Sequence, residues 1–265
     1  MRLLPDGLKI RAYWRLYHHR QRDWPGLFQA ASLRFAPGIA MHDLVPGDVI
    51  SGSIAFTGLY EQELSRRMLA QARHGGLMLD VGANMGYFSL LWAAAHPENR
   101  VIAFEASAGP ARRLEQNVSR NGLSGQVRIL HKAASDANGN VTFWLGPAEQ
   151  TGWGGIAPAD GPDQEPGRDL EKVTVEAVRI DEVVGTEPIA VMKIDVEGAE
   201  PLVLRGCRRI LEAQQVACVY YECNQERLAA LGFTAEDIHH EFKRAGYVCR
   251  ALDASQTEWV ATPGK

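Results

Sequence analysis

The chain has 265 residues, 46% hydrophobic and 23% charged, a composition that fits a soluble globular protein and excludes a disordered one. Lys+Arg of 28 against Asp+Glu of 32 leaves a net charge of -4, which disfavours a general nucleic-acid binder, since that needs surplus cations to neutralise phosphates. The cysteines Cys207, Cys218, Cys223 and Cys249 form no C-x-x-C pair, so zinc-ribbon and iron–sulfur chemistry is disfavoured and reduced thiols in the cytosol are expected.

Residues 1–24 are basic: Arg2, Lys9, Arg11, Arg15, Arg20 and Arg22 stand against Asp6 and Asp23. Ile10, Tyr13, Trp14 and Tyr17 fall at i, i+3, i+4, i+7, the spacing of one apolar helix face. This predicts a helix packed on the main domain or on a second copy, with a membrane surface or acidic partner as the alternative. Pro25–Gly26, Pro37–Gly38 and Pro46–Gly47 then predict short strands and turns over residues 25–58. Residues 1–50 are therefore read as an extension and 51–265 as the main domain. No apolar run approaches the ~18 residues of a membrane span, and the N-terminus lacks the apolar core of a signal peptide.

From residue 77 apolar and amphipathic runs alternate. Strands are predicted at 77–81, 100–105 and 127–132, with helices at 87–95 and 108–121, a βαβαβ pattern that implies a parallel sheet with right-handed crossovers. A hairpin of 141–145 with 173–178 follows, enclosing a Gly/Pro-rich loop over 146–170. The pattern resumes with strand 190–194, helix 199–211, strand 216–221, helix 234–245 capped by Thr234, and final strands at 247–251 and 259–261. The expected fold class is α/β: a doubly wound, mostly parallel, seven-stranded Rossmann-like sheet with helices on both faces.

Two strand ends carry the chemistry. Asp80-Val81-Gly82-Ala83-Asn84-Met85-Gly86 closes the first strand and opens a helix, where ligands of such sheets bind. The glycines are read as letting the backbone turn tightly and approach a ligand. The spacing is D-x-G-x-N-x-G and departs from the G-x-G-x-x-G of a dinucleotide site. An acid ahead of the first glycine repels a pyrophosphate and suits a cation such as a sulfonium. Glu105, at the end of the second strand, is placed to accept hydrogen bonds from both ribose hydroxyls. The pair points to S-adenosylmethionine over NAD.

LMLDVGANMGYFSLL, IAFEAS and VMKIDVEGAEPLVLRG resemble the FkbM family of S-adenosylmethionine-dependent methyltransferases, as do the shorter pieces Gly58-Leu59-Tyr60-Glu61, Asn117, Asn121-Gly122, Ala133-Ala134-Ser135-Asp136 and Arg179-Ile180-Asp181-Glu182. The resemblance covers about residues 52–250 and implies the class I methyltransferase fold. It implies that Asp80, Gly82, Ala83, Asn84 and Gly86 hold the methionine part, that Tyr87 and Phe88 wall the pocket, that Glu105 holds the ribose, and that Ala106 lies beside the adenine. Ala134 and Ser135 would contact the base and Asp136 its amino group, with a plain turn acid as the alternative for Asp136. S-adenosylhomocysteine would be the product.

The fourth strand ends Lys193-Ile194-Asp195-Val196-Glu197-Gly198-Ala199-Glu200. Three acids crowd one turn. Asp195 or Glu197 is a candidate base for an acceptor hydroxyl, and Lys193 pairs with Asp195 or tunes the acceptor, while Glu200 is expected to cap the following helix. Glu222 ends the fifth strand beside Cys223 and Asn224. Asp195, Glu222 and Asn224 as divalent-metal ligands is the less favoured arrangement, against hydrogen bonding to substrate. Trp153, between Gly152 and Gly154, is read either as a lid over a sugar or ring or as a surface-packed side chain. His131 is expected to be a satisfied core histidine. The expected activity is O-methylation of a hydroxyl on a small molecule, sugar or glycan. An RNA or protein methyltransferase, or a nucleoside-binding protein without catalysis, is the alternative.

Overall fold

The structure, a computed structural model, describes residues 5–147, 150–158 and 170–264. Arg2 and positions 159–169 of the long loop lie outside the described residues. Seven strands form the central sheet: β1 (Leu77–Val81), β2 (Arg100–Phe104), β3 (Val127–Leu130), β4 (Ile189–Ile194), β5 (Val219–Glu222), β6 (Tyr247–Ala251) and β7 (Glu258–Pro263). Their order is β6-β7-β5-β4-β1-β2-β3, parallel from β5 through to β3, with β7 inserted antiparallel between β5 and β6.

The central strands are apolar throughout because both faces are covered. In β1 every residue is buried, and alternation sends Met78 into one core and Leu77, Leu79 and Val81 into the other. The first core is closed by helices Gln62–Ala72, Tyr87–Ala95 and Ala108–Arg120, the second by Glu200–Gly206, Gln225–Ala230 and Ala235–Arg244. The strand order reverses between β1 and β4, so the carboxyl ends of these neighbours open the crevice where such sheets bind ligands.

The predicted hairpin forms: Gly139–Leu145 pairs antiparallel with Glu171–Val178, with Val141 opposite Val175 and Phe143 opposite Val173. Gly155–Ile156 and Ala133–Ala134 complete a four-stranded side sheet. The capping box at Thr234 and Asp237 starts helix Ala235–Arg244.

Several expectations change. Residues 49–57 are a helix, not strands and turns: Pro46–Gly47 leads into Asp48, whose Oδ2 accepts the Ser51 N–H at 2.7 Å, and left-handed Gly58 stops it. The expected helix 199–211 breaks at Cys207, where Gly206 passes so close to Ser135 that a Cβ would lie 2.0 Å from its carbonyl oxygen. The basic N-terminal segment is α-helical only over Asp6–Ala12, then widens to a π-turn over Tyr13–Tyr17 and tightens to 3₁₀ over His18–Asp23. The wider turn breaks the expected i, i+4 stacking, so Tyr13 is fully buried while Trp14 is 45% exposed. Strands Ala30–Ser32 and Ala40–His42 pair behind it. Asn117 and Asn121 fasten this ribbon to the core, accepting the His42 and Ala40 N–H groups at 2.8 and 2.9 Å.

Candidate active site

A cavity opens over the carboxyl ends of β1, β2, β4 and β5. Gly82, Ala83, Asn84, Tyr87, Phe88, Glu105, Ala106, Ala134, Lys193, Asp195, Glu197 and Glu222, all expected site residues, line it. Asp80, Gly86, Ser135 and Asp136 do not.

Asp80 is buried one pleat below the rim, and its Oδ2 accepts the Ser89 hydroxyl at 2.5 Å. Burial raises its carboxyl pKa while Lys193 pulls it down. Its other oxygen has no partner among the described residues. Both glycines are also needed for close approach within the chain. A Cβ at Gly82 (φ 80°) would fall 1.8 Å from the Asp195 carbonyl oxygen, and one at Gly86 (φ 92°) 2.4 Å from Leu114 Cδ1. Ser135 is turned inward, its N–H on the Val178 carbonyl, and the Asp136 carbonyl accepts the Arg179 guanidinium. The side sheet thus holds both residues behind Ala134.

Glu105 is the fixed point of the cofactor end. It is buried, and its two carboxylate oxygens accept the Asn84 N–H at 2.8 Å and the Ser107 N–H at 2.7 Å. Burial pushes its pKa up to about 7 against these hydrogen bonds. Asn84 takes the left-handed conformation (φ 50°) that presents its N–H to Glu105. Each carboxylate oxygen keeps a lone pair for a diol. His131 is exposed, not buried in the core, with Nε2 3.0 Å from the Ala106 carbonyl.

The other end of the cavity is acidic. Lys193 Nζ donates to Asp195 Oδ2 at 2.8 Å and sits 4.9 Å from the centre of the Phe88 ring. Burial alone would depress its ammonium, but Asp195, Glu61 and Asp80 hold it well above its ordinary value. Glu197, in the left-handed region (φ 57°), pairs with Arg227 Nε at 2.9 Å. Glu200 does not cap the following helix as expected, because helix Glu200–Gly206 has no side-chain cap; its Oε1 instead accepts the Val196 and Gly198 N–H groups of the preceding turn. Burial, and beyond it the charges of Asp195, Glu197, Glu200 and Glu258, push the Glu222 carboxyl up to about 9. Asn224 is drawn off to cap helix Gln225–Ala230, so the set Asp195, Glu222, Asn224 is not assembled. No group of three or more His, Cys, Asp or Glu among the described residues is arranged around a metal position.

Sequence reasoning missed Tyr60, Glu61, Met41, Ile50 and Glu258 in the lining. Tyr60-Glu61 stood in the sequence as a family piece without a role. Glu258 carries no local signal, because only the pairing of β7 with β5 sets it directly opposite Glu222. Burial, then Glu61 and Asp195, push the Glu258 carboxyl up to about 8. From the long loop, Gly152, Gly154 and Gly155 line the cavity while Trp153 packs with Trp144, Ala157 and Leu170 of the side sheet. Asp48 pins the loop by accepting the Thr151 N–H and hydroxyl at 3.0 and 3.1 Å.

Residues 80–249 match the profile of the Methyltransferase FkbM domain. Among curated proteins the chain is 32% identical over 202 residues to AMB antimetabolite synthetase AmbE of Pseudomonas aeruginosa, covering 64% of this chain and 9% of that protein. It is 30% identical over 163 residues to 31-O-demethyl-FK506 methyltransferase FkbM of Streptomyces tacrolimicus, covering 51% and 61%. It is 26% identical over 156 residues to hexuronic acid methyltransferase AglP of Haloferax volcanii, covering 58% and 59%. The chain therefore spans less than two thirds of the length of each.

Proposed function

The chain belongs to the FkbM methyltransferase family, and from that premise we propose that it methylates a hydroxyl group of a small-molecule or saccharide acceptor with S-adenosylmethionine as donor. The observation that carries the reading is Glu105, a buried carboxylate with both oxygens aimed by backbone N–H groups, in one cavity with an acidic wall. That combination fits a nucleoside bearing positive charge and does not fit a pyrophosphate. Bound there, the donor supplies an activated methyl group. The relatives named as methyltransferases of hexuronic acid and of 31-O-demethyl-FK506 support an oxygen acceptor.

The residues of this chain orient the acceptor and take its proton. Asp195, held by Lys193, is the base nearest the switch point, and in-line attack needs its carboxylate within hydrogen-bond reach of the acceptor hydroxyl. Glu222, whose carboxyl burial pushes up to about 9, is suited to donate a hydrogen bond to an acceptor oxygen. Glu197, tied to Arg227, shapes the wall. The four cysteines are free, which supports a reducing compartment, the cytosol. No helix among the described residues is long and apolar enough to cross a membrane.

Calorimetry with S-adenosylmethionine tests the reading. Removing a charge-assisted, bidentate contact should weaken binding by about 2–3 kcal/mol in Glu105→Ala, roughly a hundredfold. Unchanged affinity would place the nucleoside elsewhere.

A further inference from the structure

We propose that the N-terminal segment, residues 6–27, is a docking face for an anionic lipid surface. Among the described residues, seven large apolar side chains stay well exposed, and five lie in this stretch: Leu8, Trp14, Leu16, Trp24 and Leu27, from 39% to 57% exposed. Such a concentration marks an interaction surface rather than random surface apolarity. Between them stand exposed arginines. Arg20 pairs with Asp23 and Lys9 with Asp6, but Arg11, Arg15 and Arg22 make no ion pair among the described residues. Exposed tryptophan and leucine interspersed with arginines that make no ion pair among the described residues is the chemistry of a segment lying in a headgroup layer.

The opposite side of the segment is anchored to the protein. Buried Tyr13 accepts the Gln21 amide at 3.0 Å, and Gln21 in turn accepts the Gly47 N–H at 2.9 Å. Tyr13 sits so close to helix Val49–Thr57 that a Cβ on Gly52 would lie 2.3 Å from its hydroxyl oxygen. The apolar side chains are therefore held outward by a fixed seat. Beside them a groove of about 630 Å³ is walled by Tyr17, Trp24, Leu27 and Phe56 together with the cations Lys9 and Arg34. A second copy of the chain fits this face less well, because a two-fold contact would bring a segment with an excess of cations (Lys9, Arg11, Arg15, Arg20 and Arg22 against Asp6 and Asp23) against itself. The anchoring helix also contributes Ile50 to the active-site cavity, so a surface-bound segment would hold one wall of that cavity.

Vesicle flotation tests the assignment with phosphatidylcholine vesicles and with phosphatidylcholine vesicles containing phosphatidylglycerol. The intact protein should float with the anionic vesicles at low salt and be released as salt rises. Each arginine near such a surface contributes about fivefold in affinity, so Arg11→Gln with Arg15→Gln should lower binding about 30-fold. Trp14→Ala with Leu16→Ala should lower it independently of salt. Arg73→Gln with Arg112→Gln, also exposed but outside the segment, should leave it unchanged, and circular dichroism checks that each variant is folded. Three results would overturn the proposal: equal binding to both vesicle types, equal loss in the Arg73/Arg112 control, or no flotation. If flotation is absent while sedimentation shows Trp14-dependent self-association, the face belongs to a second copy instead. None of these outcomes depends on S-adenosylmethionine binding.

Discussion

Glu222 and Glu258 face one another across β5 and β7 in direct register, and both line the cavity. Directly opposed side chains on antiparallel strands stand about 5 Å apart at Cβ, and like charges there repel. At a carboxyl separation of about 6 Å and an effective dielectric of about 20, the repulsion is about 2.8 kcal/mol, roughly a hundredfold in proton affinity. Burial is the larger effect, pushing the two carboxyls up to about 9 and about 8, with the neighbouring acids adding to it, so the pair is expected to hold at least one proton at neutral pH. In the unfolded chain both ionise near the ordinary carboxylate value. Between pH 5 and pH 9 the folded state thus binds more protons than the unfolded state, and stability falls as pH rises. Glu258→Gln removes one charge and keeps the shape of the protonated carboxyl. Urea unfolding should show equal stability of variant and parent at pH 5, where both parental carboxyls are protonated. At pH 9 the variant should be more stable by about 2–4 kcal/mol, chiefly because it no longer ionises a buried carboxyl, with the relieved repulsion a smaller part. Stability curves that run parallel from pH 5 to pH 9 would refute the raised proton affinity of Glu258.

Lys193→Met should remove the only cation bonded to Asp195 among the described residues and leave the buried carboxylates uncompensated. A loss of about 3–5 kcal/mol is expected at pH 8, shrinking as pH falls and the acids protonate, measured by the same unfolding series. A pH-independent loss would mean that Lys193 acts through packing on Phe88 alone. Gly82→Ala should cost more than about 3 kcal/mol, since its Cβ meets the backbone of Asp195 and the residue must keep φ near 80°. A melting temperature within a degree of the parent would show that the β1 and β4 turns are not packed as described.

Much of the central fold was legible because its signals are local. The apolar run Leu77–Val81 and the helix Tyr87–Ala95 can be read from composition and length, and their bounds agree with the structure. The capping box at Thr234 and the alternation of 141–145 with 173–178 are also short-range. Helix Val49–Thr57 was hidden because Pro46–Gly47 signals both a turn and the approach to a helix cap, and only the Asp48 bond to Ser51 decides between them. The break at Cys207 is invisible in a periodic apolar pattern, being set by the close pass of Gly206 against Ser135.

The same division runs through the site. Residues at or just past the strand ends, such as Asn84, Glu105, Asp195 and Glu222, converge in the cavity because strand order brings those ends together. Asp80 was correctly placed at a strand end, but the two-residue alternation of a strand put its side chain under the rim with Ser89. Glu258 and Glu61 join the acid wall only because β7 inserts antiparallel beside β5 and because Glu61 takes a left-handed turn ahead of its helix. From its residues alone, then, the chain determined a doubly wound sheet, its family and the strand ends that carry the chemistry, since these depend on hydrophobic period and short motifs. Which carboxylates are buried together, and hence which have raised proton affinity, was decided by tertiary structure, because desolvation and repulsion depend on position in space and not on distance along the chain.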